Sequence, residues 1–487
     1  MKKLIIILTA AVMAVSCSDN LESLNENIKD PAAVSGESLF SSAQKQLADQ
    51  IVTPNVNLNN NRLWVQYWQE TTYTDESNYD QVTRPIPGNH WRELYRDVLK
   101  DLDEAAKFIE ATDNPLTNDV KQNKLAIIEI MSIYAWSNLV ETYGDVPYSE
   151  ALDINNVLPK YDDGLTIYKD LISRITSAIN SMDDSKGSFV ANDKIDKIYN
   201  GDVSKWMKFG NSLKLRMGIM LADVDAGLSQ STVESAFTSG VFSSNADNGS
   251  YMYSANAPNN NPVNDNLVLS GRNDYVAAAT IVDIMNNLED PRRAAYFELH
   301  EGEYVGGAIG EAATYANHSH VGDRIKDPTE PGVLLSYVEV EFLLAEAAAR
   351  GYNVGGTAED HYNAGITASF DYWNISGVSD YLANPDVDYT SALAASTSNP
   401  AWKMVIGTQA YLGLYNRTFA PYLSVRRLDY PILTEPSEAQ TGFPVRYTYP
   451  VTEQTLNGAN YEAASNAIGG DAPETQLFWD KFYTFDF

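Results

Sequence analysis

Apolar residues recur along this chain at the three-and-four spacing of an amphipathic helix, segment after segment, and nothing else limits its fold as much. Trp91, Leu94, Tyr95, Val98, Leu99, Leu102 and Ile109 mark one such stripe. From Lys121 to Tyr143 apolar residues cover more than one face, which predicts a helix sandwiched between neighbours. Gly144 supplies a left-handed cap there, and Pro147 prevents continuation. A second pair repeats the plan. Leu165, Tyr168, Leu171, Ile172, Ile175, Ile179 and Met182 line one helix, and Trp206, Phe209, Leu213, Met217 and Met220 mark its partner, opened by Asp202. A third group comprises Tyr275 to Leu288, Ser336 to Arg350 and Ala358 to Trp373, and a last stretch runs from Trp402 to Tyr415. Helix pairs repeated in this way predict a mainly α, right-handed helical-repeat scaffold, although no tetratricopeptide consensus is met in sequence.

The N-terminus reads as an export signal. Lys2 and Lys3 precede the apolar run Leu4 to Met13, and Ala14-Val15-Ser16 leads into Cys17, the only cysteine of the chain. The run is too short to span a bilayer, and small residues before a cysteine suit a lipoprotein signal, though position 14 is Ala where Leu is usual. The alternative is an ordinary secretory peptide with a chance cysteine. The expected organisation is a signal peptide at 1–16, a lipidated Cys17 with a polar tether over 17–37, and one helical body over 38–487. Without cysteine pairs, stability outside the cytoplasm must come from packing.

A net charge of −31 disfavours nucleic acid and anionic lipid surfaces as partners. Attachment to a membrane is therefore expected through lipid only. The chemistry-bearing motifs are sparse. No His-Glu-x-x-His, Gly-x-Ser-x-Gly or Walker sequence occurs among the 487 residues. His318 and His320 lack a third ligand at metal spacing, Gly306-Gly307 reads as a turn, and Asp386-Val-Asp388 lacks the rest of a calcium loop. No cofactor, metal or catalytic residue is expected. Paired carboxylates are inevitable in so acidic a chain, which keeps a surface glycoside hydrolase as an alternative.

The chain holds 30 tyrosines and 8 tryptophans, many in long loops rich in Asn and Gly. Such rings offer broad faces to sugars at low entropic cost. Two segments combine them with planar amides and charges. In the first, Trp64, Trp68, Tyr73 and Tyr79 alternate with polar residues; the spacing of Trp64 and Trp68 equally suits a helix core. In the second, Tyr253, Asn256, Asn260, Arg272, Asn273 and Tyr275 lie in or beside the longest loop, which reads equally as a solvated asparagine-rich segment. These ten residues are the candidate ligand contacts.

Several motifs, in order along the chain, resemble the SusD/RagB family of outer-membrane nutrient-binding lipoproteins of Bacteroidetes. They are Leu139 to Tyr148 with its Gly-Asp-Val-Pro turn, Trp206 to Arg216, Asp290-Pro291-Arg292, Val338 to Ala347, and Arg446 to Gln454 with Asn460-Tyr461. The resemblance implies a SusD-like fold with four tetratricopeptide-like helix pairs and a loop-rich ligand-binding lobe. It also implies a SusC-like TonB-dependent transporter as partner. The lipoprotein would face the cell exterior, capture an oligosaccharide and close it over the barrel. RagB-type relatives capture peptides instead, and the composition permits either ligand. A purely structural helical scaffold is the remaining alternative, against which the aromatic loops weigh.

Overall fold

The computed structural model describes residues 34–111, 118–190 and 194–481. Cys17, the signal segment, most of the tether and the loop holding Pro115 lie outside them. The described chain is mainly α. Helix α1 (Gly36–Val52) starts at Ser35, whose hydroxyl accepts the Ser38 N–H. It packs on α2 (Lys100–Glu110), which continues a helical stretch beginning at Ile86. Helix α3 (Asn118–Tyr143) pairs with α4 (Gly164–Asn180), and α5 (Val203–Met220) with α6 (Ala226–Ser239). Helix α7 (Tyr337–Ala349) pairs with α8 (Ala358–Trp373), while α9 (Trp402–Gly413) and α10 (Phe419–Leu428) pack across them.

The partners differ from the periodicity reading. The stripe of 91–109 has α1 as its more extensive neighbour, and α5 pairs most closely with α6, a helix the sequence did not reveal. Helix α6 is rich in Ser, Thr and small residues and buries only Ser229, Thr232, Val233 and Ala236. It docks because Gly218 of α5 removes the obstacle: a Cβ there would lie 2.8 Å from a Val233 methyl. The expected helix from Tyr275 also starts later. Tyr275–Ala277 is a strand, and only Ala279–Asn287 is helical.

The motifs that carried the family resemblance hold these elements together. Arg292 is fully buried and donates to both oxygens of Asp290, at 2.6 Å in the shortest contact, and to the Ser369 hydroxyl and the Gln409 amide oxygen. Arg216 of α5 clasps Glu339 of α7 with contacts of 2.7 and 3.0 Å. Arg446 reaches Asp471 at 2.6 Å and the Tyr143 carbonyl at 3.0 Å. Asp145, just past the left-handed Gly144, accepts the Gly164 N–H at the start of α4. A buried guanidinium needs its charge answered, which Asp290, Glu339 and Asp471 do, although Arg216 Nη1 and Arg446 Nε are left without an acceptor.

Short strands tie the loops to the helical body. Strand β1 (Trp68–Glu70) pairs antiparallel with β2 (Tyr275–Ala277) in the register Trp68↔Ala277 and Glu70↔Tyr275. Gly306 and Gly307 lie flush on the end of this ribbon. A Cβ on Gly306 would meet the Ala279 backbone at 2.4 Å, and the Gly307 N–H donates to the Ala277 carbonyl. The expected plain turn is thus a close approach of backbones. Asp388, read as part of an incomplete calcium loop, caps the helix Tyr389–Ala395.

Candidate functional site

The β1–β2 ribbon joins the two loop segments that the sequence left separate. At its open end the chain continues into the loop 71–84 on one side and arrives from 266–274 on the other. The Thr71 N–H donates to the Asp274 carbonyl, and its hydroxyl to the Asn273 carbonyl. Between these segments and the turn Asn55–Asn57 lies a cleft of about 570 Å³. Tyr73, Arg272 and Tyr275 line it together with Glu70, Arg84, Asn266 and Asp274. A concave site with aromatic, amide and charged groups suits an oligomer rich in hydroxyls or amides.

Each lining group is placed by the fold behind it. Tyr275 is buried, donates its hydroxyl to the Pro54 carbonyl and packs on Trp68 with ring centroids 5.5 Å apart. Trp68 is itself locked, its indole N–H donating to the Tyr415 hydroxyl at 3.0 Å and Arg62 lying 4.8 Å from its ring centroid. Tyr73 stands at the rim with 79% of its surface exposed and a left-handed backbone, φ 56°. A tyrosine held in that conformation with its ring in solvent is costly unless used, and such residues gather at binding sites. Val82 and Leu269, on the same two loops, are also exposed. Arg272 is exposed, 3.7 Å from Asp274.

Beneath the cleft lies an acidic pair. Glu70 and Glu76 are both buried, and their carboxyls are in hydrogen-bond contact. Glu70 Oε2 accepts the Ser77 N–H at 3.0 Å, and Glu76 Oε1 is paired with Arg84. Burial, then the neighbouring Glu76 charge, pushes the Glu70 carboxyl up to about 9. Burial also raises Glu76, with Arg84 and Glu70 opposing the rise. Carboxyls in direct contact are closer than the roughly 5 Å that a retaining glycosidase needs and the still wider gap of an inverting one.

The remaining candidates are distributed differently. Trp64, Trp68 and Tyr79 are core residues, a correction to their reading as a ligand platform. Trp64 packs on Tyr422 and Tyr447, and Tyr79 stacks edge-on against Phe443 while accepting from Gln66. Tyr253 is also buried, its hydroxyl donating to Asp49 at 2.9 Å, so replacing it would disturb packing. Asn260 is buried and donates to Asn264 and Asp265. Asn256 is exposed on a tight loop closed by the Ser254–Asn259 backbone bond, away from the cleft lining. The Asn273 side chain is exposed, and its carbonyl serves the ribbon. Sequence reading missed Glu70, Arg84, Asn266 and Asp274. Only the strand pairing brings them to one place, and three-residue strands leave almost no periodic signal. His320 stacks on Tyr315 at 3.8 Å and contacts Glu298. Among the described residues, no three His, Cys, Asp or Glu side chains gather in a group able to hold a metal.

Comparison with known proteins agrees with this architecture. The family described as starch-binding associating with outer membrane matches residues 28–450. The chain therefore belongs to the SusD-like family. Among solved structures, a chitin-binding protein is 25% identical with a TM-score of 0.76, covering 91% of this chain and 99% of that one. A SusD homologue from Bacteroides uniformis is 26% identical, TM-score 0.77, over 91% of this chain and 99% of its own. A chitin-binding SusD homologue from Flavobacterium johnsoniae shares the fold at 23% identity and TM-score 0.74, over 91% and 98% of the two chains. No curated protein matches the sequence. Among the described residues, no helix is long and apolar enough to cross a membrane.

Proposed function

We propose that this protein is a surface-exposed lipoprotein, anchored through Cys17, that captures an oligosaccharide in the cleft between loops 71–84 and 266–275 and passes it to a SusC-like TonB-dependent transporter. The observation that carries the reading is the convergence of Tyr73, Arg272 and Tyr275 from two distant segments on one cleft of about 570 Å³. The rim ring of Tyr73 would stack on a sugar face, and Asn266, Arg272, Asp274 and Glu70 would answer hydroxyls. The solved relatives described as chitin-binding make chitin oligosaccharides the first ligands to try. The family's description as starch-binding and outer-membrane-associated supports maltooligosaccharides as the second set and the proposed location. The division into a signal peptide at 1–16, a lipidated tether over 17–37 and a helical body over 38–487 belongs to the same proposal.

The test is calorimetry of lipid-free protein against both glycan series, with Tyr73→Ala as the comparison. Tyr73 is 79% exposed, so the variant should fold normally. Binding to a glycan and at least a ten-fold loss in Tyr73→Ala are expected; stacking on one aromatic is commonly worth about 1–2 kcal/mol. Unchanged affinity in the variant would move the ligand elsewhere. Turnover of the glycan would replace capture by hydrolysis.

A further inference from the structure

The acidic pair beneath the cleft has an arrangement that a simple salt bridge does not explain. Glu76 is 1% exposed, and only one of its oxygens is matched by Arg84. The other, Oε2, is buried and receives no hydrogen bond from any N–H or hydroxyl. The Glu70 side chain, which lines the cleft, is in hydrogen-bond contact with Glu76. Two ionised carboxylates in contact inside a protein repel strongly, and a buried acceptor without a donor costs about 1–3 kcal/mol. One proton resolves both problems.

We propose that Glu70 and Glu76 share one proton, which makes the Glu70–Glu76–Arg84 group electrically neutral and turns Glu70 into a hydroxyl-reading residue for an uncharged glycan. This rests on the cleft being the ligand site proposed above. Glu70 donates the shared proton to Glu76 Oε2. Its own Oε2 takes the Ser77 N–H, and the carboxyl edge facing the cleft accepts from a ligand hydroxyl. The pair then meets ligand without burying an unbalanced charge. Removing the proton leaves two anions against one guanidinium, and the same edge becomes a charged, strongly hydrated group that must be desolvated to bind.

The charged surroundings favour retention of the proton. On the loop of Glu70 they are Glu76, Arg84 and Asp80, whose carboxylate also feels Arg84. On the paired strand and its approach they are Tyr275, Asp274 and the exposed Arg272. Glu311 lies exposed on the loop whose Ala313 N–H donates to the Glu70 carbonyl, and Arg62 lies over the Trp68 ring and acts on Tyr275. Arg84 is already matched to Glu76 and Arg272 to Asp274, so neither cation is left over for an ionised Glu70.

Two measurements test the inference separately from the site beneath it. The first needs no ligand: titration of protein labelled with carbon-13 at the glutamate carboxyls. One carboxyl should change charge far above the ordinary range in the wild type, and that transition should vanish in Glu70→Gln. A spectrum in which all glutamates titrate below pH 6 would overturn the shared proton. The second is calorimetry with the glycan that the Tyr73→Ala comparison has shown to use the cleft, from pH 6 to 10. Wild-type affinity should be flat to pH 8 and fall about ten-fold for each unit above the transition. Whatever affinity Glu70→Gln has at pH 7, it should keep at pH 10, because no proton is left to lose. Glu76→Gln, which removes the proton's partner but leaves Arg84, should move the fall to lower pH. A fall with pH in Glu70→Gln as steep as that of wild type, or an unmoved fall in Glu76→Gln, would overturn the hydroxyl-reading role. Undiminished binding in Tyr73→Ala would instead overturn the site, and the titration would still decide the proton.

Discussion

The proton proposed for Glu70 has a consequence for stability, since the unfolded chain would release it in neutral solution. The carboxyl is raised from 4.5 to about 9, chiefly by burial and then by Glu76. A raised pKa means that the group's contribution to stability is fully present below the unfolded value and is lost as pH rises towards the folded one. Between pH 4.5 and about 9 the wild type therefore becomes progressively less stable on this account. Glu70→Gln removes the titration but keeps the shape and a donor for Glu76. It should raise the melting temperature at pH 7–8, with the gain shrinking to nothing near pH 4.5, as calorimetric melts across that range would read. A second residue-scale outcome concerns Tyr73. Its left-handed backbone is strained for any residue but glycine. Tyr73→Gly should leave stability unchanged or raise it by up to about 1 kcal/mol while weakening glycan binding as Tyr73→Ala does. A fall in the denaturation midpoint would show that the ring, despite its exposure, supports the loop.

Among the elements, α5 and α7 are joined by a charge pair in a place where apolar side chains would also pack. Arg216 lies over the Tyr134 ring at 5.3 Å and meets Glu339 through two hydrogen bonds, with both side chains almost wholly buried. Arg216→Met should cost about 3–5 kcal/mol, because Glu339 is then left without its counter-charge. Adding Glu339→Leu should return most of that loss, as urea midpoints of the single and double variants would show. The long, strongly patterned helices around this pair were readable in the sequence: α3, α4, α5, α7 and α8 sit where apolar periodicity placed them. Helix α6 was not, because serine and threonine occupy its buried face and a glycine on α5 provides the fit. The ligand cleft was half readable. Aromatic residues among amides flagged Tyr73 and Tyr275, but the same flag fell on Trp64, Trp68 and Tyr79, since composition does not tell a ring that faces solvent from one that holds a loop to the core. Glu70 and Asp274 became visible only once β1 and β2 were paired, and pairing is a contact between residues about 200 apart with no local cause.

For the molecule as a whole, the proposed surface location rests on charge and on Cys17. With a net charge of −31, the protein is repelled by anionic surfaces, and among its described residues no helix spans a bilayer. Firm attachment then needs hydrophobic anchoring, and more than one acyl chain, because a single chain holds only weakly and reversibly. Cys17 is the only thiol available for it. Cys17→Ser should leave fold and glycan affinity intact and shift the protein from the membrane fraction to the soluble one. Wild-type protein should resist extraction by high salt, which releases electrostatically bound proteins but not lipid-anchored ones. Detergent should release it together with a barrel protein if the helical face docks on a transporter. Mass spectrometry of the N-terminal peptide decides the anchor directly: an acylated Cys17 is expected, and an unmodified thiol on salt-resistant, membrane-bound protein would mean that another part of the chain holds it there.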